Sequence, residues 1–407
     1  MTERAARGSS VLLVSQVYVP DPASVGQHMA GLAATLARRQ HRVTVFTSAS
    51  GYENPAIRYP VREHREGVEV RRFRGASFGK GSLGRRVVGG LSFVAQAVVR
   101  GLMLRRLDTV VVSTSPPMAP LVGLVLGAVR RARVVFWVMD LNPDQAIALG
   151  VVAPGARFAR MLEWVNRRLL ARAAAVVALD RFMARRLCGK VPAVASRLTV
   201  LPPWPLEEAL EPVPHDANPF RAAHGLTGRF VVMYSGNHSP ANPLGTLLAA
   251  AERVQDDPSF AFVFVGGGLG KAEVEASRSP NVQSLPYEPL ATLRYSLSAA
   301  DVHVVSIGDD LVGVVHPSKV YGALAAGRPI LLFGPPENHV ADLLAEERVG
   351  WHVAHGDVAG AVATLRAIRA TPRAELEAMG RRARALGETR FRPDALMARL
   401  ADLVDAA

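Results

Sequence analysis

The chain has 407 residues, of which 49% are hydrophobic and 20% are charged. It is long enough for two domains of ordinary size and too apolar for a disordered protein. Its single cysteine, Cys188, excludes an intramolecular disulfide framework and a zinc site built from several thiolates of one chain. No long apolar segment precedes the first strand-like sequence, so we expect no signal peptide and a cytoplasmic location.

Positive charge is concentrated in the first half of the chain. Residues 1–200 contain 30 basic and 11 acidic residues, a net charge of +19, whereas residues 201–407 contain 18 and 24, a net charge of −6. Residues 71–106 contain nine basic residues and no acidic one. The asymmetry indicates either an anionic partner (membrane lipid, a phosphorylated acceptor or nucleic acid) or a solvated face of an arginine-rich protein.

The first half alternates strand-like and helix-like segments. An apolar run from Val11 to Val17, a helical segment from about Gln27 to Arg39 and a second apolar run from Val43 to Thr47 predict a β–α–β unit. Such a unit is typical of a doubly wound parallel sheet. Further strands are predicted at Val68–Phe73, Thr109–Ser113, Val134–Met139 and Ala174–Leu179, with a helix around Phe158–Leu169.

A segment rich in proline and acid, about residues 202–220, interrupts this pattern and predicts the domain linker. The alternation then restarts, which favours a second parallel-sheet domain with its ligand site at the carboxyl ends of the strands. We expect domains over 1–205 and 206–385, and a terminal helix in 386–407 that packs back toward the N-terminal domain. The predicted strands are Phe230–Ser235, Phe260–Val265, Asp301–Ile307 and Ile330–Phe333, and the predicted helices are Leu244–Val254, Ser318–Ala326, Asn338–Glu346, Arg373–Leu386 and Pro393–Ala406.

The segment with the most specific pattern is GVVHPSKVYGALAAGRPILLF, which begins at Gly313. Ser318 opens a predicted helix whose free backbone N–H groups favour an anion. Lys319 lies in the first turn, where a cation is unfavourable for the helix itself. A phosphate bound at the same place would explain that lysine, whereas the simpler alternative is a capped helix with a surface lysine.

This segment resembles the donor-binding part of family 4 glycosyltransferases, in particular a bacterial subgroup that reads PSK-(F/Y)-x-x-x-A-A-G-(R/K)-P-(I/V)-L. Other family elements are similar and occur in the same order, so that the resemblance covers nearly the whole chain. They are the loop Tyr18–Gly26, HRVTVFT, WVMDLNPD, VLPPW and YSGNHSPANPLGTLLAA.

The resemblance implies the GT-B architecture, an α/β fold of two Rossmann-like domains whose parallel sheets face a central cleft. It implies transfer of a sugar from a nucleotide diphosphate, with a UDP-sugar the favoured donor, and with retention of the anomeric configuration. The acceptor would be a lipid-linked or other glycan in bacterial surface polysaccharide, glycolipid or glycoconjugate synthesis. No cofactor and no metal are expected, because helix N-termini and side chains can hold the phosphates; the adjacent Asp309 and Asp310 are interpreted as a solvated loop.

The resemblance also implies roles for particular residues. Lys319 and the amides near Ser318 would neutralise the diphosphate, and Asn237 and His238 would hydrogen-bond phosphate or sugar. Asp140, at the end of a predicted strand, would orient the acceptor or stabilise positive charge on the sugar, although an N-cap or turn role before Pro143 is the alternative. The remaining donor-binding candidates are Gly26, Gly266, Gly267, Gly268, His316 and Glu337.

Some of these candidates have a structural alternative, and the chain departs from the family pattern at a few positions. The three glycines would let the backbone approach a nucleotide closely or would form a plain turn, and His316 would contact phosphate or be merely structural. Many members place two glutamates where this chain has Val314 and Gly322, so ribose binding would fall to Glu337 or to backbone groups. Many also place a histidine where this chain has Met139, which we interpret as a variant.

Residues 83–108 combine helical apolar spacing with arginines at both ends. Val87, Leu91, Val94, Val98 and Leu102 predict one apolar face, which burial in the domain or contact with an anionic bilayer would explain. In the resembled family this region often meets lipid. We therefore expect peripheral contact with the inner face of the cell membrane through residues 71–106.

Two rival functions share the predicted fold. One is a non-catalytic partner that binds a nucleotide sugar, and the other is a sugar-nucleotide epimerase or hydrolase, for which we find no convincing pair of acid and base residues. A nicotinamide dehydrogenase lacks support because the loop YVPDPASVG has no glycine-rich fingerprint. Nucleic-acid binding lacks support because only 6% of residues are aromatic and no reader motif occurs.

Overall fold

The computed structural model describes residues 8–52, 54–77, 79, 83–206 and 210–407, except for the side chain of Leu83. The chain divides into an N-terminal unit, residues up to Pro203 together with Asp394–Ala407, and a C-terminal unit, Trp204–Pro393. Parts of the predicted basic segment (78 and 80–82) and of the predicted linker (207–209) lie outside the described residues.

The N-terminal unit is built on an eight-stranded sheet in the order β3-β4-β2-β1-β5-β6-β7-β8, in which only β3 runs antiparallel to its neighbour. The elements before the C-terminal unit are β1 Ser10–Val14, α1 Ser24–Arg38, β2 Arg42–Ser48, β3 Arg62–Arg65, β4 Val68–Phe73, α2 Leu83–Leu102, β5 Thr109–Val112, α3 Pro120–Arg130, β6 Arg133–Trp137, α4 Asp144–Ala148, α5 Arg157–Arg172, β7 Ala175–Ala178, α6 Arg181–Lys190 and β8 Leu198–Val200.

The central strands of this sheet are short runs of β-branched and small apolar residues, as expected for strands that are covered on both faces. TVVV of β5 and AVVA of β7 are buried throughout. Because a parallel strand needs a crossover to reach its neighbour, helices occupy the connections and cover these faces.

The amphipathic helix α2 differs from its prediction. The five residues predicted to share an apolar face do not all have the same environment, because Val94 is buried whereas Leu91 is exposed. The buried side of α2 consists instead of glycines and small or aromatic residues, among them Gly90, Phe93 and Ala97. Val88 and Val99 point away from the core, so that α2 is apolar on its exposed side as well.

The C-terminal unit contains a six-stranded, all-parallel sheet in the order β11-β10-β9-β12-β13-β14. Its elements are α7 Pro219–Ala223, β9 Phe230–Ser235, α8 Gly245–Arg253, β10 Phe260–Val265, α9 Lys271–Glu275, β11 Val282–Leu285, α10 Leu293–Ser298, β12 Val302–Ser306, α11 Lys319–Ala325, β13 Ile330–Phe333, α12 His339–Glu347, β14 Gly350–Val353, α13 Val358–Ala370 and α14 Arg373–Glu388.

The final helix, α15 (Pro393–Ala406), belongs to the N-terminal unit. Arg39, at the end of α1, forms ion pairs of 2.7 Å with both Asp402 and Asp405. The His41 imidazole lies 2.8 Å from the Asp405 carboxylate. These contacts fasten α15 beside the start of β2.

Both units are therefore α/β structures in which helices connect the strands of a largely parallel sheet. This confirms the predicted fold class of two Rossmann-like domains. In such sheets the loops after the strands gather at one edge, where side chains from separate parts of the sequence meet.

Candidate functional site

The most unusual side chain at the carboxyl edge of the C-terminal sheet is Lys319, the first residue of α11. Its ammonium donates a hydrogen bond to the Asn242 Oδ1 at 3.2 Å and lies 5.1 Å from the centroid of the Tyr234 ring. Among the described residues it has no ion pair with a carboxylate. Burial removes water from the ammonium and lowers the pKa of Lys319 to about 8.

The loop after β9 is shaped around this lysine. Gly236 has a φ of +124°, a backbone conformation that favours glycine, and a Cβ at this position would stand 3.1 Å from the Cε of Lys319. Asn242, in the same loop, donates its amide N–H to the Ser306 carbonyl at 2.6 Å. The partner of the ammonium is thereby fixed to the end of β12.

The predicted glycine turn after β10 packs against the same loop. The His238 backbone N–H donates to the Gly267 carbonyl at 2.7 Å, and the Gly270 N–H donates to the His238 carbonyl at 2.8 Å. A Cβ at Gly266 would collide with the Gly236 carbonyl, and one at Gly268 would collide with the Asn237 side chain. The glycines are therefore needed for the close approach of the loops after β9 and β10. At this edge of the site the two loops meet through their backbones.

Lys271, at the start of α9, holds this turn from behind. Its ammonium donates to the carbonyls of Gly266 at 2.8 Å and Leu285 at 3.0 Å. Lys271 therefore stabilises the turn, whereas Lys319 presents its charge beside it.

Asn237 and His238, both predicted to bind the donor, have different environments. Asn237 is exposed, whereas His238 is only 1% exposed and its ring centroid lies 5.0 Å from that of Tyr234. Neither ring nitrogen of His238 makes a well-formed hydrogen bond to another described residue. Burial first, and then the nearby charges of Lys319 and Lys271, lower the pKa of His238, so that its imidazole is neutral at pH 7.

The segment that precedes Lys319 forms a small polar cluster. The His316 Nε2 lies 2.8 Å from the Tyr321 hydroxyl, which lies 3.4 Å from the His339 Nε2. Ser318 is exposed, and its side chain makes no capping hydrogen bond to the seven-residue helix α11. Ser318 thus leaves the first N–H groups of the helix without a side-chain cap.

Three of the carboxylates considered in the sequence lie on the surface. Glu337, predicted as a ribose partner, is exposed in the loop before α12, where the buried Asn338 caps the helix. Asp309 and Asp310 are also exposed. Val314, where the resembled family often has a glutamate, is almost completely buried.

The two remaining candidates lie in the N-terminal unit. Gly26 is buried in the first turn of α1, where a Cβ would stand 2.9 Å from the Cα of Tyr18, so glycine permits close contact with the loop after β1. Asp140 follows β6 and is half-buried, and its backbone N–H donates to the Thr114 hydroxyl at 3.0 Å. Asp140 therefore lies at the carboxyl edge of the N-terminal sheet.

Within the C-terminal unit the structure brings together Lys319, the loop with Asn237 and His238, and the glycine turn. Sequence reasoning missed Tyr234, Gly236 and Asn242, which position the lysine. Asn242 lies in the loop NHSPANP, which was noted for its resemblance, but no local pattern indicates that its amide contacts a residue 77 positions later. The roles predicted for the site residues stay predictions.

The described residues lack two features. No group of three or more histidine, cysteine, aspartate or glutamate side chains is arranged to hold a metal ion. No described helix combines the length and the apolar character needed to cross a membrane.

Comparison with known proteins gives the class to which this fold and sequence are similar. Residues 24–204 match the family described as glycosyl transferase 4-like domain. The two α/β units match solved structures of the GT-B fold, among them those of HepE and WaaG, over nearly the whole chain. The chain therefore has the GT-B fold, and its residues 24–204 are similar to the glycosyl transferase 4-like domain.

Three particular relatives illustrate the similarity. The chain is 24% identical over 359 residues to the probable glycosyltransferase WbjE of Pseudomonas aeruginosa, an alignment covering 85% of this chain and 86% of WbjE. WaaG, a glycosyltransferase involved in lipopolysaccharide biosynthesis, superposes with a TM-score of 0.71 at 15% identity over 98% of this chain and 100% of WaaG. HepE of Anabaena in complex with UDP-glucose has the same TM-score, identity and coverage.

Proposed function

We propose that the protein is a retaining glycosyltransferase that moves a hexose or an N-acetylhexosamine from a nucleoside diphosphate to an acceptor hydroxyl. A UDP-sugar is the favoured donor, and the acceptor is a lipid-linked or other glycan in bacterial surface polysaccharide, glycolipid or glycoconjugate synthesis. The observation that carries the proposal is the ammonium of Lys319, on a half-buried side chain, which contacts an amide oxygen and has no carboxylate partner among the described residues.

An ammonium that has lost part of its water and has no counter-ion destabilises a protein, so its retention needs a reason. An amide oxygen and an aromatic face only partly replace the water that Lys319 has lost. A diphosphate placed beside Lys319 would supply the missing negative charge, and it would raise the pKa of the lysine. The attraction would be strongest when the diphosphate departs, since negative charge then develops on its oxygen.

The glycine turn supports the same interpretation. Gly268, in this turn, is exposed and has no side chain, so its backbone is open to a ligand. We propose that the nucleotide lies along this turn and that Asn237, His238, His316, Ser318 and Glu337 are further donor contacts. HepE has the same fold, and its solved structure is a complex with UDP-glucose.

In the proposed reaction the bond between the sugar anomeric carbon and the diphosphate oxygen breaks. The acceptor hydroxyl forms the new bond on the face that the diphosphate leaves, and its proton passes to the departing phosphate. Lys319 stabilises the leaving group, and the Asp140 carboxylate orients the acceptor or stabilises positive charge on the sugar. The positive charge at the leaving group thus comes from Lys319 and backbone N–H groups rather than from a metal ion.

We also propose that the protein works at the inner face of the cell membrane. Residues 71–106 contain nine basic residues and no acidic one, and the described part of α2 has an apolar exposed side. Basic and apolar residues together favour the surface of an anionic bilayer.

The donor proposal is tested by thermal unfolding of the purified chain with UDP-, GDP-, ADP- and TDP-sugars. A ligand that binds the native state raises its apparent stability, so one donor series should raise the melting temperature. Lys319→Ala should abolish that rise, whereas Arg253→Ala, which removes an exposed positive charge from the same unit, should preserve it. An unchanged rise in the Lys319 variant would contradict the proposal.

The replacement of family glutamates by Val314 and Gly322 favours one second candidate, a protein that binds a nucleotide sugar without transferring it. Donor hydrolysis and transfer assays distinguish the two functions. Tight donor binding without turnover, across a panel of acceptors, would support the non-catalytic alternative.

A further inference from the structure

The well-exposed large apolar side chains of the C-terminal unit lie in two neighbouring loops. Leu269 is 85% exposed, Leu290 is 74% exposed and Tyr287 is 47% exposed. The other large apolar side chains that are well exposed in the described chain belong to the N-terminal unit. Leu269 lies in the glycine turn after β10, and the other two lie in the loop between β11 and α10. The exposed apolar surface of this unit is therefore concentrated beside the candidate site.

The Tyr287 ring rests on the glycine turn. Its hydroxyl donates to the Gly267 carbonyl at 3.3 Å, and a Cβ at Gly267 would stand 3.0 Å from the Cε2 of the ring. Since β10 and β11 are paired in parallel, the loops that follow them leave the same edge of the sheet. The exposed ring is therefore part of the candidate site and not of a separate surface.

The order of the strands places Tyr287 and Lys319 at two ends of this site. Along the sheet the order is β11-β10-β9-β12, and the loops after these strands carry, in turn, Tyr287, the glycine turn, Gly236 and Lys319. Three strand spacings, about 14 Å, separate β11 from β12. Between the two ends lies backbone of the packed loops, since a Cβ at Gly266 would collide with the Gly236 carbonyl. The arrangement suits an extended ligand with two chemically different ends.

The loop that presents the ring is short and braced. Pro286 and Pro289 lie on either side of Tyr287 and Glu288, and proline fixes the backbone φ. The Thr292 hydroxyl donates to the Glu288 carboxylate at 2.8 Å, and the Thr292 N–H donates to the Pro289 carbonyl at 3.0 Å. A ring that is held in this way loses little conformational entropy when a ligand binds against it.

A small flat ligand suits this patch better than a protein does. A stable protein–protein interface takes about 20–30 residues on each side, whereas three large apolar side chains are exposed here. Glu273 and Arg294, in the helices that follow the two loops, are exposed and charged. The apolar surface is therefore narrow and lies between charged residues.

We propose that Tyr287 stacks on the base of the nucleotide donor, a proposal that rests on the proposed function, and that Leu269 and Leu290 line the same subsite. A base is a flat ring, and stacking on an aromatic side chain serves every base because each has a π-face. Lys319 binds the diphosphate at one end of the site, and Tyr287 binds the base at the other. Tyr287 thus supplies affinity for the nucleoside, which Lys319 does not.

The test is calorimetric titration of the purified full chain and its variants with UDP, GDP, ADP and TDP, and with inorganic pyrophosphate, which has no base. Tyr287→Leu should weaken binding of the tightest of these nucleotides about tenfold. Tyr287→Phe keeps the ring and is the matched control, so it should retain the affinity. Both variants should bind pyrophosphate as the unaltered chain does, because that ligand occupies the end of the site at Lys319.

Saturation-transfer NMR tests the contact directly. In a deuterated chain that carries protons only on its tyrosine rings, saturation of those protons should reach the base protons of the same nucleotide. Tyr287→Phe should bind the nucleotide and yet lose this transfer, because its phenyl ring carries deuterium. A ring that only supports the glycine turn would not produce this loss.

Four outcomes would overturn the inference. They are nucleotide binding that Tyr287→Leu leaves unchanged, equal losses of nucleotide and pyrophosphate affinity, saturation transfer to the base that persists in Tyr287→Phe, and a dimer that Tyr287→Leu dissociates in light scattering. Failure of every nucleotide and nucleotide sugar to bind the unaltered chain would contradict the proposed function and this subsite together. Nucleotide binding that is independent of Tyr287 would contradict the subsite alone.

Discussion

Gly236 and Lys319 are in contact although they are far apart in the sequence. A Cβ at Gly236 would stand 3.1 Å from the Cε of Lys319. The loop after β9 therefore sets the path of the lysine stem, while Asn242 and Tyr234 set the place of its ammonium. The position of the Lys319 ammonium is therefore set by elements that precede α11 as much as by the helix itself.

Gly236→Ala should weaken donor binding about tenfold. The added methyl crowds the lysine stem, and the φ of +124° is strained for any residue with a Cβ. Titration with the nucleotide sugar found in the thermal panel measures the effect. Gly228→Ala is the control, because Gly228 also has a positive φ but a methyl added there would have no neighbouring atom within 4 Å; equal losses in both variants would show that the contact with Lys319 is unimportant.

Lys319→Met should abolish donor binding and yet stabilise the donor-free protein at pH 7. The pKa of Lys319 is about 8 in the folded state and near 10.5 in the unfolded state, so the unfolded chain binds more protons between these values. The cost of the buried ammonium is complete below about pH 8 and is relieved as the pH rises toward 10.5. The gain from methionine should be roughly 1–3 kcal/mol at pH 7 and should shrink across that window.

Urea unfolding of both proteins at several pH values between about 7 and 10 measures this difference. Lys319→Arg serves as a comparison that keeps the charge. Because a planar guanidinium is larger than an ammonium and is not readily deprotonated, it should not recover donor binding. A stability difference that stays constant with pH would contradict the burial of the Lys319 charge.

Asn242→Asp should weaken donor binding at least about tenfold. A carboxylate 3.2 Å from the ammonium would raise the pKa of Lys319 and neutralise the positive charge of its ammonium. The site would then attract a diphosphate less strongly. Calorimetric titration with the same donor measures the affinity. Asn242→Gln keeps an uncharged amide and is the comparison that separates charge from lost contact; an aspartate variant that binds as well as the unaltered chain would contradict the role of Lys319.

The sequence predicts the central strands better than the edge strands. The predicted strands are buried runs in the middle of each sheet, where apolar residues are required on both faces. The strands β3, β11 and β14, which the pattern did not indicate, are all edge strands. REHR of β3 is largely exposed and VQSL of β11 is only half-buried, so neither forms an apolar run that a sequence pattern could reveal.

The candidate site was predictable to the extent that its residues lie in local motifs. Lys319 and the glycine turn are recognisable because a helix start and consecutive glycines have specific local patterns. The contact between Lys319 and Asn242 depends on the order of strands in the sheet, which brings together the loops after β9 and β12. Likewise, the apolar exposed side of α2 was not predictable, because spacing alone does not say which apolar side is buried.

Acid should destabilise the C-terminal unit through His303. This side chain is buried in β12, its Nε2 lies 2.9 Å from the Leu297 carbonyl, and burial lowers its pKa to about 4. Since its pKa in the unfolded chain is near 6.5, the unfolded state binds more protons between these values, and stability falls as the pH falls from 6.5 to 4.

His303→Gln retains an N–H donor and removes the titration. Between about pH 7 and pH 4, the free energy of unfolding should therefore fall by roughly 3 kcal/mol less in the variant than in the unaltered chain. Urea unfolding at several pH values measures both profiles. Parallel profiles would show that His303 is not the buried titrating group.

Asp140→Asn should lower turnover about a hundredfold while leaving donor affinity unchanged. Asp140 follows β6 in the N-terminal unit, and its backbone N–H is held by the Thr114 hydroxyl, so the amide variant should keep the local fold. Loss of the negative charge would remove its proposed interaction with the acceptor or with the developing positive charge on the sugar.

Asp144→Asn is the matched control, since Asp144 is only four residues away but is paired with Lys190 at 2.9 Å. Transfer kinetics and donor titration on the same preparations separate the two effects: equal turnover in the two variants, or a parallel fall in donor affinity, would remove Asp140 from the proposed catalytic role.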